Sequence, residues 1–144
     1  MPSLIYNSCL EELCKGNIIF GGTGVNTFKA LLVTSAYTPD KDAHTNRSNI
    51  TVGEVSTSGT NYTAGGNAAT PTVTKDVAND RVDISWSITN WTSATITARA
   101  VVIYKSTGTA ASDLLVGYVD FGSDVTSTNG TFAVTVSTPL RFQN

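Results

Sequence analysis

The sequence predicts an all-β fold: an antiparallel β-sandwich, of jelly-roll type, with one short helix at its N-terminus. Three observations point there. The composition is poor in charge and rich in Thr, Ser, Val and Gly. Apolar and polar residues alternate over several stretches of the C-terminal half. Turn-forming residues interrupt the chain at short intervals. Many short strands with turn signals between them are the pattern of sandwiches, jelly rolls and barrels.

The composition sets the frame. The chain has 144 residues, enough for one domain over 1–144 with a core that needs no staples. Charged residues make up 14%, against about 25% in average proteins. Thr and Val are β-branched and suit a pleated surface. Thr also gives a wet strand face polarity without charge. The net charge is -2 and the basic residues are scattered singly, so nucleic acid is not expected as a partner. No stretch approaches the roughly twenty apolar residues of a membrane span. The N-terminus has no basic start and no apolar run, so no secretory leader is expected. Cys9 and Cys14 lie five apart in a predicted helix, about 140° from each other around its axis. They should stay as free thiols, which favours folding in a reducing cytoplasm.

Residues 1–16 hold the predicted helix. Tyr6, Leu10, Leu13 and Cys14 recur at helical spacing as one apolar stripe. Ser3, or Ser8 with Glu11, could start it, and Lys15 and Gly16 suit its end. Ile18 to Phe20 then run into Gly21-Gly22-Thr23-Gly24, read as a turn. The Lys-Ser/Thr of a phosphate loop is missing. Phe28 to Thr34 reads as a strand buried on both faces. Residues 37–66 form a long polar loop, the weakest-patterned stretch of the chain. Val73, Lys75 and Val77 share one parity before a turn at Asn79-Asp80. Val82, Ile84, Trp86 and Ile88 alternate with polar residues, the mark of a half-buried antiparallel strand. Ile96 to Tyr104 and Leu114 to Phe121 are long apolar runs. Asn129-Gly130 signals a hairpin turn, followed by alternating Phe132, Val134 and Val136. The inward side should include Val82, Ile84, Trp86, Phe132, Val134 and Val136.

Chemistry is sparse. His44 is the single His, and no Gly-x-Ser-x-Gly elbow accompanies it. Asp40, Asp42 and His44 alternate as metal ligands can, but Pro39-Asp40 is also a good turn start. Glu54 and Asp83 could be imagined as a carboxylate pair, although nothing singles them out. Trp86 falls on core parity, while Trp91 and Tyr62 could be core or sugar-stacking residues. No catalytic residue, cofactor or metal is expected.

The ordered series of segments carries a resemblance. It runs through Phe28-Lys29-Ala30-Leu31-Leu32-Val33, Tyr37-Thr38-Pro39-Asp40 with His44, Glu54-Val55 and Tyr62-Thr63-Ala64-Gly65-Gly66. It continues through Trp91-Thr92-Ser93-Ala94, Ala98 to Lys105 and Leu114 to Gly122. The series resembles a family of small bacteriophage virion proteins, and within it the jelly-roll capsid cement, or decoration, proteins of tailed phages. The resemblance implies a non-enzymatic protein of the virion, made in the host cytoplasm. It would bind the outside of an icosahedral shell and tie major capsid subunits together. A homodimer is the expected oligomer. A tail or receptor-binding component that recognises host glycans is the alternative, and a free carbohydrate-binding module a third reading. The expected partner surface combines the helix, through Leu10 and Leu13, with the polar loop, through Tyr37, Arg47 and Tyr62. Tyr and Arg are favoured there because they join apolar area to hydrogen-bonding ends.

Overall fold

The computed structural model describes residues 3–137 and 140–144. Among the described residues nine strands form: β1 (Leu4–Ile5), β2 (Phe28–Val33), β3 (Asn67–Asp76), β4 (Arg81–Ile88), β5 (Trp91–Ala94), β6 (Thr97–Lys105), β7 (Leu115–Thr126), β8 (Gly130–Phe132) and β9 (Leu140–Gln143). One α-helix, α1 (Asn7–Cys14), follows β1. Seven strands make one sheet in the order β1-β7-β6-β2-β3-β4-β9, and β5 pairs with β8 in a second. Every pairing is antiparallel. Within the large sheet β2–β3, β3–β4 and β6–β7 are consecutive in sequence, whereas β1–β7, β6–β2 and β4–β9 join strands distant in sequence. The product is an antiparallel sandwich, jelly-roll-like, with a short N-terminal helix, as the sequence predicts.

The centre of the large sheet is buried on both faces. Along β2, Phe28, Ala30 and Leu32 enter one apolar cluster with Val101, Ile103, Trp91 and Phe132. The alternate residues Leu31 and Val33 enter a second cluster with Val102, Tyr104, Tyr118 and Tyr37. Period-2 alternation puts neighbouring side chains on opposite faces, so a strand apolar at both parities needs cover on both sides. The first face is covered by β4, β9 and the β5–β8 pair. Cover on the second comes from Tyr6 and the connection between β2 and β3.

β4 follows its sequence pattern. Ile84 and Ile88 are buried, and Val82 and Trp86 are half-buried. Trp86 packs edge-on against Phe20 and Phe28 at 5.7 and 5.3 Å. Phe132 and Val134 are also buried and Val136 half-buried. The turn before β4 has Asp80 in the left-handed region at φ 49°.

Several sequence expectations need correction. The helix begins at Asn7, because Leu4 and Ile5 are already paired with Tyr118 and Gly117 of β7; residues 1 and 2 lie outside the described set. Its N-cap is Tyr6, without a side-chain cap, rather than Ser3 or Ser8. The buried stripe runs through Tyr6, Cys9 and Leu13, leaving Leu10 and Cys14 exposed. Small, apolar Cys9 fits the close approach of helix to sheet. Asn129-Gly130 does not turn a hairpin from β7 into β8. Such a turn needs two residues at positive φ, and only Asn129, at 45°, has one. β8 instead pairs with β5. The alternation over residues 131–136 tracks burial rather than a continuous strand, since past Phe132 only Thr135 bridges, to Ser87.

Both cysteines are free thiols. Burial pushes the Cys9 thiol up to about 12, whereas Cys14 is exposed. A thiol-reactive dye should therefore label one cysteine rapidly in the native protein and two after denaturation. Rapid labelling of both in the native state would contradict this packing of α1.

Candidate functional site

The polar connection from Thr34 to Gly66 is the most unusual part of the molecule. β3 pairs with β2 only as far as Ala30. Beyond that point β2 has a backbone edge that must be satisfied some other way. The connection supplies it. Thr34 donates to the carbonyl of Gly53 at 2.7 Å, and Val55 donates to that of Leu32 at 3.0 Å. The Leu32 N–H donates to the hydroxyl of Tyr62 at 3.1 Å. That hydroxyl in turn donates to Glu54 Oε1 at 3.0 Å. Gly65 N–H shares the same carboxylate oxygen at 2.6 Å, and the Tyr104 hydroxyl donates to the Gly65 carbonyl, also at 2.6 Å. Burial, reinforced by the neighbouring Glu54 charge, holds the Tyr62 phenol far above its ordinary range. It remains a neutral hydrogen-bonding group at every physiological pH.

Gly66 lets the connection re-enter the sheet. Its φ is +75°, and a Cβ there would lie 1.8 Å from the Ala30 carbonyl oxygen. Only glycine fits that backbone crossing.

A second clasp ties the connection to the β6–β7 loop. Arg47 opens a short 3-10 turn, Arg47–Asn49. Its Nε donates to Asp113 Oδ2 at 2.8 Å, and its guanidinium lies over the Tyr104 ring, 5.3 Å from the centroid. Asp113 is fully buried. Its other oxygen accepts from the Thr107 N–H at 2.6 Å and the Thr107 hydroxyl at 2.8 Å. Burial alone would raise the carboxyl pKa. The Thr107 and Arg47 bonds outweigh it and hold the value below the ordinary range. A third clasp joins the start of the connection to the helix end. The Tyr6 and Tyr37 hydroxyls are bonded at 2.9 Å, and His44 Nδ1 lies 3.0 Å from the Tyr37 hydroxyl.

These bonds place the five residues expected to meet a partner. Tyr37 and Tyr62 are 4% and 3% exposed, so they anchor the connection to its own sheet rather than offer surface. Arg47 is half-buried and committed to Asp113. Leu13 is half-buried against the core. Leu10, 38% exposed, is the one that faces outward. The sequence did not distinguish these cases, because Tyr and Arg serve both as interface anchors and as clamps for a polar connection. The residue reasoning missed was Asp113, an acid in an unremarkable loop, whose signal lies only in the fold.

The imagined chemical groups are also occupied. Asp40 accepts from the N–H groups of Asp42 and Ala43 as a turn cap. Among the described residues no three His, Cys, Asp or Glu side chains cluster as metal ligands. Glu54 is held by Tyr62 and Gly65, while Asp83 is paired with Arg81 and Arg141. Trp91 is 3% exposed and stacks on Tyr62 at 6.1 Å, so neither ring forms an open sugar platform. An apolar cleft of about 710 Å³ runs along β7 and residues 132–137, lined by Ile103, Val116, Phe121, Phe132 and Val134 among others.

No family model, curated protein or solved structure matches this chain. Among the described residues no helix is long and apolar enough to cross a membrane.

The Asp113 clasp makes a quantitative prediction. Asp113→Ala breaks a buried ion pair and should cost about 3 kcal/mol, lowering Tm by about 6–12 °C. A depressed carboxyl contributes its stability fully above the ordinary range and loses it as pH falls through the folded value. Thermal melts of both proteins should therefore converge as pH drops below about 4. A constant gap down to strongly acidic pH would contradict the assignment.

Proposed function

We propose that the protein is a non-catalytic structural component of a phage virion, a cement protein on the outside of an icosahedral shell that binds major capsid subunits. One observation carries this reading beyond the resemblance. The connection that reads as a loose polar loop is folded down as an added layer on the sheet. Its aromatic residues point inward and its Thr, Ser and Asn side chains outward. A protein that works by static burial of surface needs such a pre-formed face, because little ordering entropy is then lost on docking. Many symmetric copies multiply a weak contact by avidity. The inward placement of Trp91 and Tyr62 weighs against the glycan-binding alternative, which needs exposed rings.

The partner surface is correspondingly narrower than the sequence suggests. It falls to the outer face of α1 around Leu10 and to the exposed polar residues of the connection. Purified virions should carry the protein in hundreds of copies by quantitative gel analysis. Leu10→Lys should lower that occupancy while leaving Tm unchanged. A handful of copies per particle would overturn the cement reading and favour a tail station. Full occupancy of the Leu10→Lys protein would remove the helix face from the contact.

A further inference from the structure

Among the described residues β9 ends the seven-stranded sheet and pairs only with β4. The Asn144 N–H donates to the Asp80 carbonyl at 3.1 Å. Strand alternation then turns the N–H groups of Arg141 and Gln143 away from β4, towards the open edge. Edge strands are usually blunted by shortness, charged side chains, Pro or a bulge. Leu140–Gln143 is short and carries Arg141, but that charge is neutralised by Asp83 and the register with β4 is regular.

The two faces at this end of the sheet differ. One carries Asp76, Arg81, Asp83 and Arg141 in mutual ion pairs at 2.7 to 3.3 Å, two acids against two bases. The other carries the cross-strand row Lys75, Val82 and Phe142. Phe142 is 41% exposed, and on the same β3–β4 hairpin Val73 and Val77 are 47% and 70% exposed. These three are among seven large apolar residues left exposed in the described chain, so the exposure is concentrated here.

We propose that β9 pairs antiparallel with β9 of a second copy across a two-fold axis, joining two seven-stranded sheets. A second copy suits this edge better than a foreign strand. Antiparallel self-pairing is itself a two-fold operation, so the same four residues supply both sides of the ladder. The apolar row then continues as Phe142 beside Phe142 of the other copy, the kind of cross-strand pair that stabilises sheets. The charge-balanced face meets its own image without net repulsion. The inference is independent of where in a particle the protein works.

Sedimentation velocity on the full chain tests it. The wild type should shift from monomer to dimer as concentration rises. Gln143→Pro removes an outward donor without touching the β4 ladder, and Phe142→Lys puts charge into the apolar row. Both should sediment as monomers with an unchanged circular dichroism spectrum. Amide exchange on the wild type gives a readout that needs no variant: the Arg141 and Gln143 N–H groups should slow as concentration rises. A wild type that stays monomeric, a dimer that both variants retain, or edge amides indifferent to concentration would overturn the proposal.

Discussion

The backbone edge of β2 beyond Ala30 is the constraint on which the rest of the structure depends. A central strand cannot leave buried N–H and C=O groups unpaired. β3 begins at Asn67 opposite Ala30 and runs the other way, towards Phe28, so it never reaches Leu31–Val33. The edge left uncovered is taken up by Gly53, Val55 and the Tyr62 hydroxyl. Everything unusual about the 34–66 connection follows from that substitution. Glu54 orients Tyr62, Gly66 permits the crossing over Ala30, and Tyr104 holds Gly65 from the far side.

The same substitution produces the second apolar layer. Because the connection lies down on the sheet, Leu31, Val33, Val102 and Tyr104 are covered, and β2 and β6 can be apolar at both parities. The Arg47–Asp113 pair and the Tyr6–Tyr37 bond then fix its two flanks, to the β6–β7 loop and to the residue before α1. Burying an ion pair is seldom a net gain against an apolar substitute. Its value here is positional, since Asp113 satisfies Thr107 and Arg47 together and sets where the connection crosses the sheet.

Legibility in the sequence followed from what each signal measures. Alternation reports burial, so the inward sides of β4 and of 132–136 were readable from residues such as Ile84 and Val134. It does not report pairing, so β8 stops at Phe132 while the alternation continues. The apolar run from Phe28 announced a strand buried twice, but not what would cover its second face. Helical spacing was ambiguous by one position around Cys9, because a cysteine can count as apolar or polar. Tyr37, Arg47 and Tyr62 stand out in the loop's sequence as candidate partner contacts, yet the fold uses them to clamp the connection to its own sheet. Their direction was opaque, because their partners Tyr6, Asp113 and Leu32 are set by the fold and lie far away in sequence.

The proposed role as a static, surface-burying protein of a particle rests on the connection being a structural layer rather than an open loop. Native-state amide hydrogen exchange addresses that most directly, because protection reports the free energy of local opening. The N–H groups of Leu32, Val55 and Gly65 should exchange as slowly as those of β6 residues paired with β2. Exchange of Val55 and Gly65 on the fast timescale of an exposed loop, with β6 still protected, would contradict the account.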